Sequence, residues 1–236
     1  MRTPKALFVR SMFSRIAPYY DLMNRLISLT LDQKWRQEMA LWAPDSGLVL
    51  DLAAGTGDST LAFLEVKRGA KAVALDFCEE MLRRASPKLR KFSGKFSLVQ
   101  GDALELPFAP SSFDGVISAF AMRNLSDLRV ALGEILRVLK PGSPFICLEI
   151  TLPPKPLRPA FDLYFGRFVP LMGKLIAHNP EAYEYLPFSV ANFISPDGFA
   201  RLMEEVGFVH VSFRRLFPGA VVLHRGFKPS GSINLG

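Results

Sequence analysis

Asp51-Leu52-Ala53-Ala54-Gly55-Thr56-Gly57-Asp58 is the stretch on which the reading of this chain turns. It follows directly on a short apolar run, residues 47–52, of the kind that forms a buried strand, and it leads into a helical stretch, 59–67. Strand, glycine turn, helix is the opening unit of a parallel α/β sheet, where ligands sit at the carboxyl ends of the strands. Gly55 and Gly57 let the backbone approach a ligand at distances that a side chain would prevent.

Outward from this loop the rhythm repeats. Further strands are expected at 72–75 (ending in Asp76), 96–100 (followed by Gly101-Asp102), 113–120 and 144–150, with helices at 79–90 and 127–139 between them. A helix at 196–206 and a hairpin of 208–216 with 220–227 follow. The expected fold class is α/β and Rossmann-like: a mainly parallel, seven-stranded sheet with helices on both faces and a C-terminal hairpin. All 236 residues read as one domain, with residues 1–45 as a helical N-terminal lid and 152–194 as a helical insertion. The last residues, 229–236, read as a frayed tail.

The turn has two candidate ligands. A dinucleotide loop wants a third glycine where this chain has Thr60. Here the turn instead carries Asp51 and Asp58, which would repel a pyrophosphate and suit a ligand bearing an ammonium and a sulfonium. Asp76, with Phe77 beside it, ends the second strand, where a carboxylate can accept from both ribose hydroxyls. Asp102 ends the third, and with Ala103 it can read an adenine edge. The loop and these acids favour S-adenosyl-L-methionine over a nicotinamide cofactor. Each acid alone would also suit a helix cap or a turn.

Bulk composition sets bounds. The formal charge of +7 suits an anionic partner without choosing among membrane, nucleic acid and metabolite. Two cysteines, Cys78 and Cys147, lie far apart and outside any CxxC spacing, so neither a disulfide framework nor a zinc site is expected, and no other metal site is. The apolar stretch 161–176 is broken by Asp162, Arg167, Pro170 and Lys174, too often for a membrane span. A cytoplasmic protein is expected, with peripheral contact at the inner face of a membrane.

Taken together, the chain resembles the ubiquinone/menaquinone biosynthesis C-methyltransferases, which methylate demethylmenaquinol and related polyprenyl quinols. The loop at 51–58, Asp76, Asp102-Ala103 and Leu139-Lys140-Pro141-Gly142 are general methyltransferase features. More specific are 13–24 continuing to Trp35-Arg36, Phe120-Ala121-Met122-Arg123-Asn124, 182–187 followed by Ser189, and 219–228. The resemblance implies a class I methyltransferase domain that binds S-adenosyl-L-methionine and a lipid quinol, demethylmenaquinol foremost. It carries Thr56, Asp76, Asp102 and Ala103 onto cofactor-binding positions. Relatives often have Asn at the position of Asp102, glycine at that of Ala53, and a serine contact at that of Ala119, where Ser118 stands beside it.

Methylating an aromatic carbon requires a neighbouring hydroxyl to give up its proton, so the site needs a group that favours the phenolate. Arg123, expected at the mouth of the cofactor pocket, is the first candidate, because a guanidinium stabilises such an anion well. It would equally serve as a cap for the helix that follows. Tyr20 and Asp21, with Tyr19, come next as parts of the lid. Tyr183 and Tyr185 suit the substrate pocket; His224, His178 and His210 rank lower. The insertion offers a greasy channel for a prenyl tail. An RNA methyltransferase is disfavoured, since no nucleic-acid module and no well-placed nucleophilic cysteine is present. An oxygen- or nitrogen-methylating enzyme and a silent binding protein remain as rivals, and a homodimer is left open.

Overall fold

A computed structural model describes residues 3–177 and 179–231. His178 and residues 232–236 of the expected frayed tail lie outside the described residues. The strands are β1 (Ser46–Leu52), β2 (Gly69–Asp76), β3 (Phe96–Gln100), β4 (Gly115–Ala119), β5 (Pro144–Ile150), β6 (Val209–Leu216) and β7 (Val221–Phe227). They form a seven-stranded sheet in the order β3-β2-β1-β4-β5-β7-β6. The first five are parallel, and β7 runs antiparallel to both β5 and β6. The mixed sheet and its terminal hairpin agree with the sequence expectation.

Parallel strands covered on both faces are apolar on both faces. In β1 the side chains alternate: Leu50 and Leu52 enter one core with Val116, Phe145 and Cys147, whereas Val49 enters the other with Ile117 and Ile146. Both cysteines are buried free thiols.

The helices are α1 (Pro4–Ile16), α2 (Tyr20–Ser28), α3 (Leu31–Trp42), α4 (Asp58–Val66), α5 (Glu79–Leu89), α6 (Leu128–Val138), α7 (Arg158–Leu163), α8 (Val169–Leu175), α9 (Pro180–Ala191) and α10 (Pro196–Val206). Local chemistry sets their ends. Asp127 caps α6 by accepting from Val130 N at 3.0 Å, so the cap role considered for Arg123 falls to another residue. Ser195 caps α10 through Gly198 N at 3.1 Å, and Gly207, at φ +117°, ends it in a left-handed turn.

Chain order runs away from β1 in both directions, to β2 on one side and β4 on the other, which opens a crevice above their carboxyl ends. The N-terminal helices and the insertion meet over that crevice in a core of their own, in which Met12, Ile16 and Met23 pack with Phe165, Val169 and Tyr183. Among the described residues, no helix is long and apolar enough to cross a membrane.

Candidate active site

The loop between β1 and α4 turns through left-handed backbone at Ala53 (φ +56°), Gly55 (+56°) and Gly57 (+82°). The two glycines have different tasks. A Cβ on Gly55 would meet only Tyr20 Cε1, at 3.8 Å, so its face is open to a ligand. A Cβ on Gly57 would lie 2.9 Å from Ala85 Cβ, so this glycine makes room for helix α5.

The acids separate likewise. Asp76, buried at the tip of β2, accepts from Gly55 N and Cys78 N, each at 2.8 Å, and so ties the loop to the second strand. Burial pushes its pKa up to about 6, against those backbone hydrogen bonds. Asp51 is buried beneath the loop and accepts from Thr60 Oγ1 at 2.6 Å, while its Oδ1 has no partner among the described residues. Burial raises it to about 7, against the Thr60 bond and the charge of Arg36. Asp58 is held below the usual carboxylate range: burial alone would raise it, but Arg36, Lys88 and Arg25 outweigh that. Lys88 Nζ is 2.6 Å from Asp58 Oδ1, and Arg25 Nη2 is 2.9 Å from Oδ2. Its charge is therefore used inside the protein, not offered to a cofactor ammonium.

Above the strand tips lies the more polar of two cavities, apolar over most of its wall but edged by two carboxylates. Asp76, Phe77, Asp102, Ala103, Ala119 and the loop residues Ala53 and Gly55 line it. Asp51, Thr56 and Gly57 do not. Thr56 Oγ1 instead donates to Asp21 Oδ1 at 2.5 Å, and Asp21 Oδ2 lies 2.5 Å from Lys88 Nζ. Asp21, expected as a catalytic group, thus lines neither large cavity and latches α2 to the glycine loop and α5. Ser118, the neighbour of Ala119, is fully buried and donates to Leu52 O at 2.9 Å, so it does not replace the missing serine.

The lining of the polar cavity fits S-adenosyl-L-methionine. Asp76 and Asp102 supply acceptors for hydroxyls and an amino group, and Phe77, Ala103 and Ala119 supply apolar surface for a flat base. Among the described residues no lysine or arginine lines it, as a pyrophosphate would require.

A second cavity of about 310 Å³ adjoins the first. Phe13, Tyr20, Phe120 and Asn124 belong to the walls of both. Phe120 holds a left-handed backbone (φ +60°), rare for so bulky a residue and concentrated at functional sites. Its carbonyl accepts from Arg123 Nη1 at 2.6 Å. The remainder of the second cavity comes from the N-terminal helices, the insertion and the hairpin turn, including Tyr183, Tyr185 and Phe161.

Arg123 stands in the wall of this second cavity and not of the first, contrary to expectation. Its Nη1 also lies 2.6 Å from Glu149 Oε1, and its Nε donates to Ser189 Oγ at 3.3 Å. The Nη2 donors have no partner among the described residues. Glu149 was not singled out by the sequence reading, and Phe13, Asn124 and Ser189 entered it only within the family-specific segments. A lone carboxylate within the apolar run 144–150 was a signal for Glu149. His224 is structural: fully buried between Phe199 and Phe213, it has Nε2 3.0 Å from Pro196 O, and burial lowers its pKa to about 4. His210 sits in an irregularity of β6. Among the described residues no cluster of His, Cys, Asp and Glu could hold a metal ion.

This sheet, with its glycine loop and acidic strand tips beside a cation-free cavity, defines the Rossmann-like class of S-adenosyl-L-methionine-dependent methyltransferases. A solved methyltransferase from Thermotoga maritima, described as a possible histamine N-methyltransferase, superposes with a TM-score of 0.66 over 92% of this chain and 98% of its own, at 19% identity. The chain belongs to the ubiE/COQ5 methyltransferase family, whose model matches residues 1–228. It is 43% identical to a demethylmenaquinone methyltransferase of Roseiflexus sp. over 95% of this chain and 94% of that one. It is 41% identical to a ubiquinone/menaquinone biosynthesis C-methyltransferase of Syntrophotalea carbinolica, over 92% of each.

Proposed function

We propose that this enzyme methylates a ring carbon of a prenyl-tailed quinol, converting demethylmenaquinol to menaquinol. The observation that carries the reading is the pair of cavities with a common wall: one edged by the carboxylates Asp76 and Asp102 and suited to a nucleoside, and a more apolar one with a guanidinium set into it. The names of the related chains support the quinone ring, and those of the ubiquinone/menaquinone type favour a benzoquinol as the second reading.

S-adenosyl-L-methionine supplies a methyl group already activated by a positive sulfur. Asp76, Asp102 and the open face of Gly55 hold it in the polar cavity. Phe13, Tyr20 and Phe120 exclude water and align the ring, which is most of what an in-line displacement asks of a protein. Arg123 presents its Nη2 donors to the ring oxygen as negative charge grows there. A guanidinium keeps its proton at any working pH, so its part is to stabilise the anion, not to accept a proton.

The apolar cavity, floored by Phe161 and Phe165, takes the tail. Leu163, Phe168, Leu171 and Leu175 are exposed on and between α7 and α8, with Arg167 among them. These features support peripheral contact with an anionic bilayer at the cytoplasmic face. Sedimentation with anionic vesicles at low salt tests it; protein that stays in the supernatant counts against it. The ring class is tested by offering short-tailed demethylmenaquinol and its benzoquinol counterpart in competition for a labelled methyl group. Preferential labelling of the naphthoquinol is expected.

A further inference from the structure

Of the described residues that line the apolar cavity, two are exposed at the surface, Leu29 (73%) and Pro218. They mark its mouth. Leu29 stands in the turn between α2 and α3, and Pro218 in the turn between β6 and β7. Trp35, in the helix that follows the first turn, belongs to the same wall and reaches the second turn, where its Nε1 donates to Phe217 O at 2.9 Å. Neither Leu29 nor Pro218 lines the polar cavity, so the opening lies in the part of the wall that the two cavities do not share.

Both turns put apolar side chains outside. Phe217 is 80% exposed, and exposed Leu157 lies beside the same turn, where a Cβ on Gly219 would meet its Cδ1 at 3.3 Å. Leu29 and Thr30 hold left-handed φ angles of +52° and +64°. A helix end of this kind ordinarily takes glycine or asparagine, so an exposed leucine there is favoured neither by the backbone nor by water. The turn is fixed all the same, since Thr30 N donates to Arg25 O at 2.7 Å. Tyr164 Oη donates to Ile27 O at 3.3 Å, which joins the mouth to the exposed apolar residues of α7 and α8. Lys34, in the first turn of α3, and Lys155, two residues before Leu157, are exposed and have no ion-pair partner among the described residues. Anionic headgroups would supply the missing counter-charge.

We propose that the prenyl tail of the quinol leaves the apolar cavity between the Leu29-Thr30 and Phe217-Pro218 turns, and that both turns enter the acyl layer of an anionic bilayer. This rests on the quinol reading given above and adds to it the route of the tail. A tail drawn out into water would expose apolar surface along its whole length, whereas a mouth rimmed by leucine, proline and phenylalanine passes it into lipid. The ring then enters the protein while the end of the tail stays in the bilayer, and Lys34 and Lys155 meet the headgroups.

Pyrene attached to a single introduced thiol on the full chain tests both halves without turnover. Cys78 and Cys147 are buried, so Leu29→Cys, Phe217→Cys and, as a control, Ser93→Cys take the label selectively. Ser93 is exposed just before β3, at the amino end of the parallel strands and outside both cavities. Phosphatidylglycerol vesicles with brominated acyl chains should remove most of the emission of the labels at residues 29 and 217 and leave that at 93. Without vesicles, a long-tailed naphthoquinol brominated at the end of its tail should do the same. Vesicles that quench neither turn, or all three sites equally, overturn the bilayer contact. A brominated tail that quenches neither turn, in protein that binds a short-tailed naphthoquinol by calorimetry, overturns the route alone. Protein that binds no quinol overturns the quinol reading and the route with it.

Discussion

Arg123 Nη1 lies 2.6 Å from Glu149 Oε1, and Glu149 has no exposed surface. The guanidinium in the wall of the apolar cavity is therefore also the counter-charge of a buried carboxylate, which accepts in addition from Ile150 N at 2.9 Å. One side chain thus serves stability here and, in the proposed function, chemistry.

These roles can be separated. Arg123→Ala leaves Glu149 buried without its partner and should cost about 3 kcal/mol of stability, the scale for breaking one side of a buried pair. Adding Glu149→Gln should return most of that stability, since the stranded charge is gone, yet turnover should stay at least about a hundredfold below wild type. Urea unfolding and a methyl-transfer assay on the single and double variants check this. Turnover that recovers together with stability would make Arg123 purely structural.

The two loop glycines should fail differently. Gly57→Ala forces a Cβ to 2.9 Å from Ala85 at a left-handed φ, so a loss of about 2–3 kcal/mol in unfolding free energy is expected. Gly55→Ala meets open space and should cost only about 1 kcal/mol, but it narrows the polar cavity and weakens S-adenosyl-L-methionine binding. Unfolding curves and cofactor titrations on both variants should give opposite rank orders.

Asp76 gives the site a pH signature. Its pKa rises from the ordinary 3.8 to about 6 because of burial. The folded chain thus keeps a proton that the unfolded chain releases between these values, and this group's contribution to stability falls as pH rises through that window. Cofactor binding has the opposite sign, since hydroxyls need the ionised carboxylate as acceptor. Affinity should drop about tenfold from pH 7.5 to pH 5, and Asp76→Asn should flatten the profile. Calorimetric titrations across that range check it; a flat wild-type profile contradicts it.

The succession of strands and helices along the chain and the terminal hairpin were legible because they follow from local apolar patterning and turn residues. Asp76, Phe77, Asp102, Ala103 and Gly55 were legible as cavity residues because strand-tip position alone puts them there. The packing roles of Gly57, Asp58 and Asp21 were not legible, for one shared reason. Their partners, Ala85, Arg25 and Lys88, lie on other elements, and spacing along the chain carries no information about which side chains meet. The same holds for the Glu149 partner of Arg123, 26 residues away.

The latch gives a further expectation. Lys88 bridges Asp21 at 2.5 Å and Asp58 at 2.6 Å, joining α2 to α5 across the mouth of the loop. Lys88→Met removes one cation shared by two carboxylates and should free α2, which carries Tyr20 in the wall between the cavities. Hydrogen exchange should rise across residues 20–28, and cofactor release should quicken about tenfold, equivalent to about 1.4 kcal/mol. Exchange unchanged in α2 would dismiss the latch.

The central claim, carbon methylation of a quinol ring, is tested most directly by where the methyl group ends up. Purified protein would be incubated with methyl-labelled S-adenosyl-L-methionine and short-tailed demethylmenaquinol, and the product examined by nuclear magnetic resonance. Label on the free ring carbon is the predicted result; label on oxygen, or an unlabelled ring from protein that binds the cofactor, would contradict it.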